Sequence, residues 1–131
     1  MIKFKALSIA SFLGIFAMSI GCNNSTNPPP TPPGPLQLLH PTGGETFKVG
    51  HAVTVQWKIN DATQISSVEV DLSIDNGKSF SPLVNHSLPP DTTTITWTPA
   101  VDQISTTCKI RVKNYIAPYF PDISGTFTLS N

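Results

Sequence analysis

The chain has 131 residues, with eight basic and eight acidic side chains balancing to a formal net charge of zero, 39% hydrophobic residues and 13 prolines. A low and balanced charge excludes the basic footprint of a nucleic-acid binder and a polybasic membrane patch, so no nucleic-acid partner is expected. The length suits one domain once the segments unable to build a core are set aside.

Lys3 and Lys5 precede an apolar run from Ala6 to Ile20 that stops at Gly21-Cys22, and polar Asn23-Asn24-Ser25 follows. A basic start, a short apolar stretch and a small residue at its end describe an export signal, too short to span a bilayer. A cysteine directly after the small residue resembles the bacterial lipoprotein signal. That resemblance implies cleavage after residue 21, a diacylglycerol thioether on Cys22, and palmitate-type acylation holding the protein to the cell envelope through a lipid anchor. Ser19 stands where a leucine-like residue is usual, which leaves ordinary signal-peptidase cleavage as the alternative. Asn23 does not resemble the common inner-membrane retention signal and points to the outer membrane, where the organism has one.

Residues 22–35 form the expected stalk: after the cysteine, Asn-Asn-Ser-Thr-Asn-Pro-Pro-Pro-Thr-Pro-Pro-Gly-Pro has no apolar anchor. Such a segment favours the extended polyproline conformation, at about 3.1 Å per residue.

From Leu36 to the end at residue 131 the pattern has period two. Val53, Val55, Trp57 and Ile59 alternate with polar residues, as do Val68, Val70, Leu72 and Ile74, then Ile95 and Trp97, then Cys108, Ile110 and Val112, then Phe127 and Leu129. Each run reads as a strand with one buried and one wet face, which puts Glu69 and Asp71 on a solvated face. Turn residues separate the runs at Pro41-Thr42-Gly43-Gly44, Asn60-Asp61, Asp75-Asn76-Gly77, Pro89-Pro90-Asp91 and Pro118 to Pro121. Asn76-Gly77 predicts a two-residue type I′ hairpin. The sum is an all-β, immunoglobulin-like or fibronectin-like antiparallel sandwich of seven or eight strands. Trp57 and Trp97 are expected to fill the space between the sheets. With Cys22 carrying lipid, Cys108 has no partner and reads as a small core residue.

Pro41-Thr42-Gly43-Gly44-Glu45-Thr46-Phe47, Gly50 and Val53-Thr54-Val55-Gln56-Trp57 resemble the opening of the Kre9/Knh1-like immunoglobulin-type domain, found in fungal cell-wall glycan assembly proteins and in bacterial exported proteins. Val68 to Ser73 with its Asp75-Asn76-Gly77 turn, Ile95-Thr96-Trp97-Thr98-Pro99, Cys108 to Val112 and Asp122 to Leu129 continue the likeness. Thr42 and Phe47 replace the usual Asn and Trp. The resemblance implies a fold and not an activity, because the shared residues are turn glycines, tryptophans and strand apolars.

Chemistry-bearing patterns are sparse. Ser73-Ile74-Asp75-Asn76-Gly77-Lys78-Ser79-Phe80 fits the Asp-box of sialidase propellers, but a single copy builds no propeller and reads as a hairpin brace, with Asp75 capping turn amides and Phe80 behind it. Asp71, Ser73 and Asp75 offer oxygen donors, yet Pro82 occupies the position of a calcium loop's bidentate Glu. His40, His51 and His86 stand alone, and no nucleophile elbow exists, so neither catalytic residues, nor a metal, nor a cofactor is expected. The best candidate is the aromatic loop Asn114 to Asp122, with Tyr115, Tyr119 and Phe120 as binding residues. The expected role is a non-catalytic binding or scaffold module for an envelope protein partner; the alternative is a carbohydrate-binding module for cell-wall or extracellular glycan.

Overall fold

Alternating Val, Ile and Trp residues pair into strands because each hairpin buries one row of apolar side chains while satisfying its own backbone. The computed structural model describes residues 28–131, so the expected export signal and Cys22 lie outside the described residues. Residues 28–34 carry no strand and are exposed. The unit from Pro32 to Asn131 is built from β1 (Leu36–His40), β2 (Thr46–Lys48), β3 (Val53–Ile59), β4 (Val68–Ser73), β5 (Ser81–Pro82), β6 (Thr94–Trp97), β7 (Ser105–Asn114), β8 (Asp122–Ile123) and β9 (Phe127–Ser130). One sheet has the order β1-β3-β6; the other has the order β2-β9-β7-β4-β5, with β8 also on β7. All pairings are antiparallel except β2 with β9.

This is the expected all-β sandwich. Val55 and Trp57 from the first sheet meet Val70, Leu72, Cys108, Ile110, Val112, Phe127 and Leu129 from the second. Trp57 is 1% exposed and Cys108 fully buried. Burial raises the Cys108 thiol above its ordinary range, and its Sγ lies 3.5 Å from the Ser105 carbonyl. Trp97 differs from expectation. It packs against the core only in part, because β6 is an edge strand, and its indole nitrogen donates to Gln103 Oε1 at 3.3 Å.

The glycine-rich first turn is locked to the start of β9. Glu45 accepts from Thr42 N at 2.8 Å and Gly43 N at 2.7 Å, while Gly125 N donates to Thr42 O at 2.8 Å and Gly44 N to Thr126 O at 2.7 Å. Partial burial raises the Glu45 carboxyl, but these hydrogen bonds outweigh it and leave it below its ordinary value. Gly43 sits at φ +127°, where an added Cβ would lie 2.8 Å from Gly125 Cα.

The Asn76-Gly77 turn is also refined by the structure. Both residues have positive φ, 64° and 88°, and Lys78 N closes the turn on Asp75 O. The partner strand, however, starts only at Ser81, so the connection is a longer braced loop and not a two-residue hairpin. Asp75 Oδ1 accepts from Ser73 Oγ at 2.7 Å and from Ser79 N at 2.9 Å, and Ser73 Oγ takes Gly77 N at 2.8 Å.

Candidate functional site

The loop after β7 begins at Asn114, which is 3% exposed and organises it. Asn114 Oδ1 accepts from Ser66 N at 2.9 Å, Ser66 Oγ at 3.1 Å and Ser67 N at 3.3 Å; Nδ2 donates to Ile116 O at 2.6 Å and Pro118 O at 3.1 Å. The backbone closes the same ring, with Asn114 N donating to Tyr119 O at 2.6 Å and Tyr115 N to Ser67 O at 2.9 Å. One amide side chain thereby ties the loop to the segment before β4. The tip is both pinned and exposed: Tyr115 is 48% exposed, Ile116 59% and Tyr119 52%.

The three aromatic residues singled out from sequence separate here. Tyr115 and Tyr119 face solvent, whereas Phe120, at φ 44°, turns back and packs partly against the core. Phe120 also lines a hollow of about 300 Å³ with Pro33, Pro35, Leu36 and Asp122, where the chain enters β1. Phe120 is thus a wall of the domain's end and not part of the exposed tip. Asp122 Oδ2 fastens that end by accepting Leu38 N at 2.7 Å.

Beside the loop, the outer face of β4 and β7 corrects the expectation of a solvated face. Asp71 is 2% exposed because Arg111 covers it, with Nε at 2.8 Å and Nη2 at 2.6 Å from Oδ2. Phe80 lies 4.0 Å beneath the same guanidinium. Burial pushes the Asp71 carboxyl up, and Arg111 pulls it back only in part. Lys113 pairs with Glu69, and its ammonium sits 5.2 Å from the Tyr119 ring centroid. This ladder needs the cross-strand register Asp71↔Arg111 and Glu69↔Lys113, which alternation within one strand does not give.

Most acidic side chains have a structural partner. Glu45, Asp71, Asp75 and Asp122 are engaged as described, Glu69 pairs with Lys113, and Asp61 caps Thr63 N at 3.1 Å. His40 Nδ1 meets the Thr54 carbonyl at 2.7 Å. Among the described residues no group of three or more His, Cys, Asp or Glu side chains converges as a metal site.

A larger open hollow of about 530 Å³ was not foreseen from sequence. It is lined by Leu39, Trp57, Ile59, Ala62, Pro90 and Thr93, with Lys58 and Asp91 also in its wall. The indole nitrogen of Trp57 is buried without a hydrogen-bond partner among the described residues.

No family model matches the chain. No curated protein matches it either. Among solved structures, a fibronectin(III)-like module of Clostridium thermocellum CbhA is similar, with 16% identity over 72% of this chain and 94% of that one, at a TM-score of 0.47.

Proposed function

We propose that this chain is an envelope-anchored lipoprotein whose Kre9/Knh1-like sandwich acts as a non-catalytic binding module for a protein partner, with Tyr115, Ile116 and Tyr119 as its contact surface. The observation that carries the reading is the combination of exposure and restraint at that loop. Large side chains held on a fixed backbone lose little entropy on binding, so their buried area converts efficiently into affinity. Ile116 favours a protein over a sugar, because a branched aliphatic side chain offers no flat face for stacking and is best covered by a packed pocket. The engagement of most carboxylates in structural bonds favours binding over hydrolysis. The anchor rests on the leader and Cys22.

A second reading has its own observation. Tyr115 and Tyr119 are half-exposed rings of the kind that stack on pyranose faces, which supports a glycan ligand at the envelope. Lys113 beside the Tyr119 ring counts against it by competing for that ring.

The test is a pull-down by the chain lacking residues 1–22 against solubilised envelope proteins and, separately, isolated polysaccharides. A Tyr115→Ala/Tyr119→Ala variant that keeps Phe120 runs alongside. Capture of a defined protein by the wild type, lost in the variant, is the expected result. Loss of polysaccharide binding instead would select the glycan reading, and identical behaviour of the two forms would remove the loop from either. For the anchor, Cys22→Ala should abolish palmitate labelling and release the protein from membranes; unchanged labelling would overturn it.

A further inference from the structure

A sheet edge exposes a row of unpaired backbone groups, and proteins that stay monomeric blunt such edges with charge, proline, bulges or covering side chains. Two sheets give this sandwich four end strands, and three of them are blunted. On β1 the Asp122 carboxylate occupies Leu38 N and the register slips between Leu38 and His40. The β2 strand is three residues long and ends at exposed Lys48. The β5 strand has two residues, of which the second is Pro82. The β6 edge differs. Thr92-Thr93-Thr94-Ile95-Thr96-Trp97-Thr98 contains no charge, proline or glycine and is β-branched or aromatic throughout.

The register shows which groups this edge presents. Trp57 N donates to Thr93 O at 2.9 Å, so with Val55↔Ile95 and Val53↔Trp97 the bonded pairs are those of Thr93, Ile95 and Trp97. The N–H and C=O of Thr94 and Thr96 therefore point away from β3. Among the described residues they have no backbone partner. The edge also leaves apolar surface to be covered, as the β1 and β2 edges do at Leu38 and Phe47. Val55 and Trp57 on β3 are fully covered, whereas Ile95 and Trp97, which face the same interior, remain only partly buried.

We infer that β6 is a self-association edge, pairing antiparallel with β6 of a second copy of this chain. A second copy is the occupant this edge fits, because an uncharged strand neither repels itself nor selects a charged partner, and Thr–Thr cross-strand pairs are favourable. Centred on Ile95, the two-fold pairing sets Thr94 opposite Thr96 of the partner, so that both residues exchange their outward N–H and C=O groups. The two three-stranded sheets become one continuous sheet, and the residual exposure of Ile95 and Trp97 closes at the centre of an isologous contact.

The test is register-specific crosslinking in the full chain, with Thr94→Cys and Thr96→Cys as separate single variants; both positions are exposed, so neither disturbs the core. Residues opposite one another lie about 5.5 Å apart, within disulfide reach. The same residue on two paired copies would lie roughly 8 Å apart, outside it. Mixed Thr94→Cys and Thr96→Cys chains should give several-fold more oxidised dimer than either variant alone, above the background of the wild-type chain with its own cysteines. In parallel, exchange at the Thr94 and Thr96 amides should slow as protein concentration rises. Equal crosslinking in mixed and single samples, or none in any, would overturn the pairing. Concentration-independent protection of those amides, with a co-purifying peptide, would overturn it in favour of a foreign strand.

Discussion

Replacing Asn114 by alanine tests the central claim about the loop, that one buried amide holds it. The side chain makes five hydrogen bonds, two of them shorter than 3.0 Å, to Ser66 N and Ile116 O, and a third of 3.1 Å to Pro118 O. Each contributes about 0.5–1.5 kcal/mol net. The Ser66 hydroxyl can turn to water and the bond from Ser67 N is the longest at 3.3 Å, so counting the other three gives a loss of about 2–4 kcal/mol. Against the roughly 5–15 kcal/mol usual for a domain, that is a large fraction. Urea melts of wild type and Asn114→Ala should show a lower midpoint at nearly the same slope. Amide exchange should accelerate at Asn114 and Tyr115, whose N–H groups close the loop onto Tyr119 O and Ser67 O. A midpoint shift worth less than about 0.5 kcal/mol, with both amides unchanged, would refute the reasoning. Binding by the Tyr115–Tyr119 tip should weaken in the same variant although no contacting side chain has changed.

Trp57→Ala should cost about 3–5 kcal/mol by leaving a cavity between the sheets. Trp57→Phe should cost far less, because it also removes a buried N–H that has no partner among the described residues; comparison of the two melts checks this, and equal losses would contradict it. The Asp75 carboxyl is lowered to about 2, chiefly by the hydroxyls of Ser79 and Ser73. Its contribution is present above its unfolded value near 3.8 and is lost as pH falls through 2, so the stability gap between wild type and Asp75→Asn should close across that window. In a Cys22→Ala background, Cys108 should resist a thiol reagent until denaturant is added, and rapid labelling of the folded chain would contradict its burial.

The strands were legible wherever alternation was strong. Val53 to Ile59 and Val68 to Ser73 announce themselves, because a half-buried strand has to write its burial into every second residue. The two-residue strands β5 and β8 were not legible, since Ser81-Pro82 and Asp122-Ile123 are too short to carry a period. Burial of Asp71 was missed for a different reason. Alternation says which way a side chain points, but only the pairing with β7 places Arg111 across from it and Phe80 beneath that guanidinium. The aromatic loop was found from composition, yet composition does not distinguish Tyr119 from its neighbour Phe120. A positive φ at Phe120 sends one ring to solvent and the other to the domain wall.

The contact between the first turn and the approach to β9 also constrains how this sequence can drift. Cβ atoms added at Gly43 or at Gly125 would each meet main-chain atoms of the other segment at 2.8 Å, Gly125 Cα in the first case and Thr42 O in the second. Main chain cannot be trimmed by a compensating substitution, so neither glycine can be rescued by a second-site change in a neighbouring side chain. The two positions are separately frozen rather than coupled, whereas Phe47 beside them meets Phe127 through side-chain atoms that a second substitution can accommodate. In a collection of functional variants made by random mutagenesis, positions 43 and 125 should remain glycine after the rest of the turn has diversified.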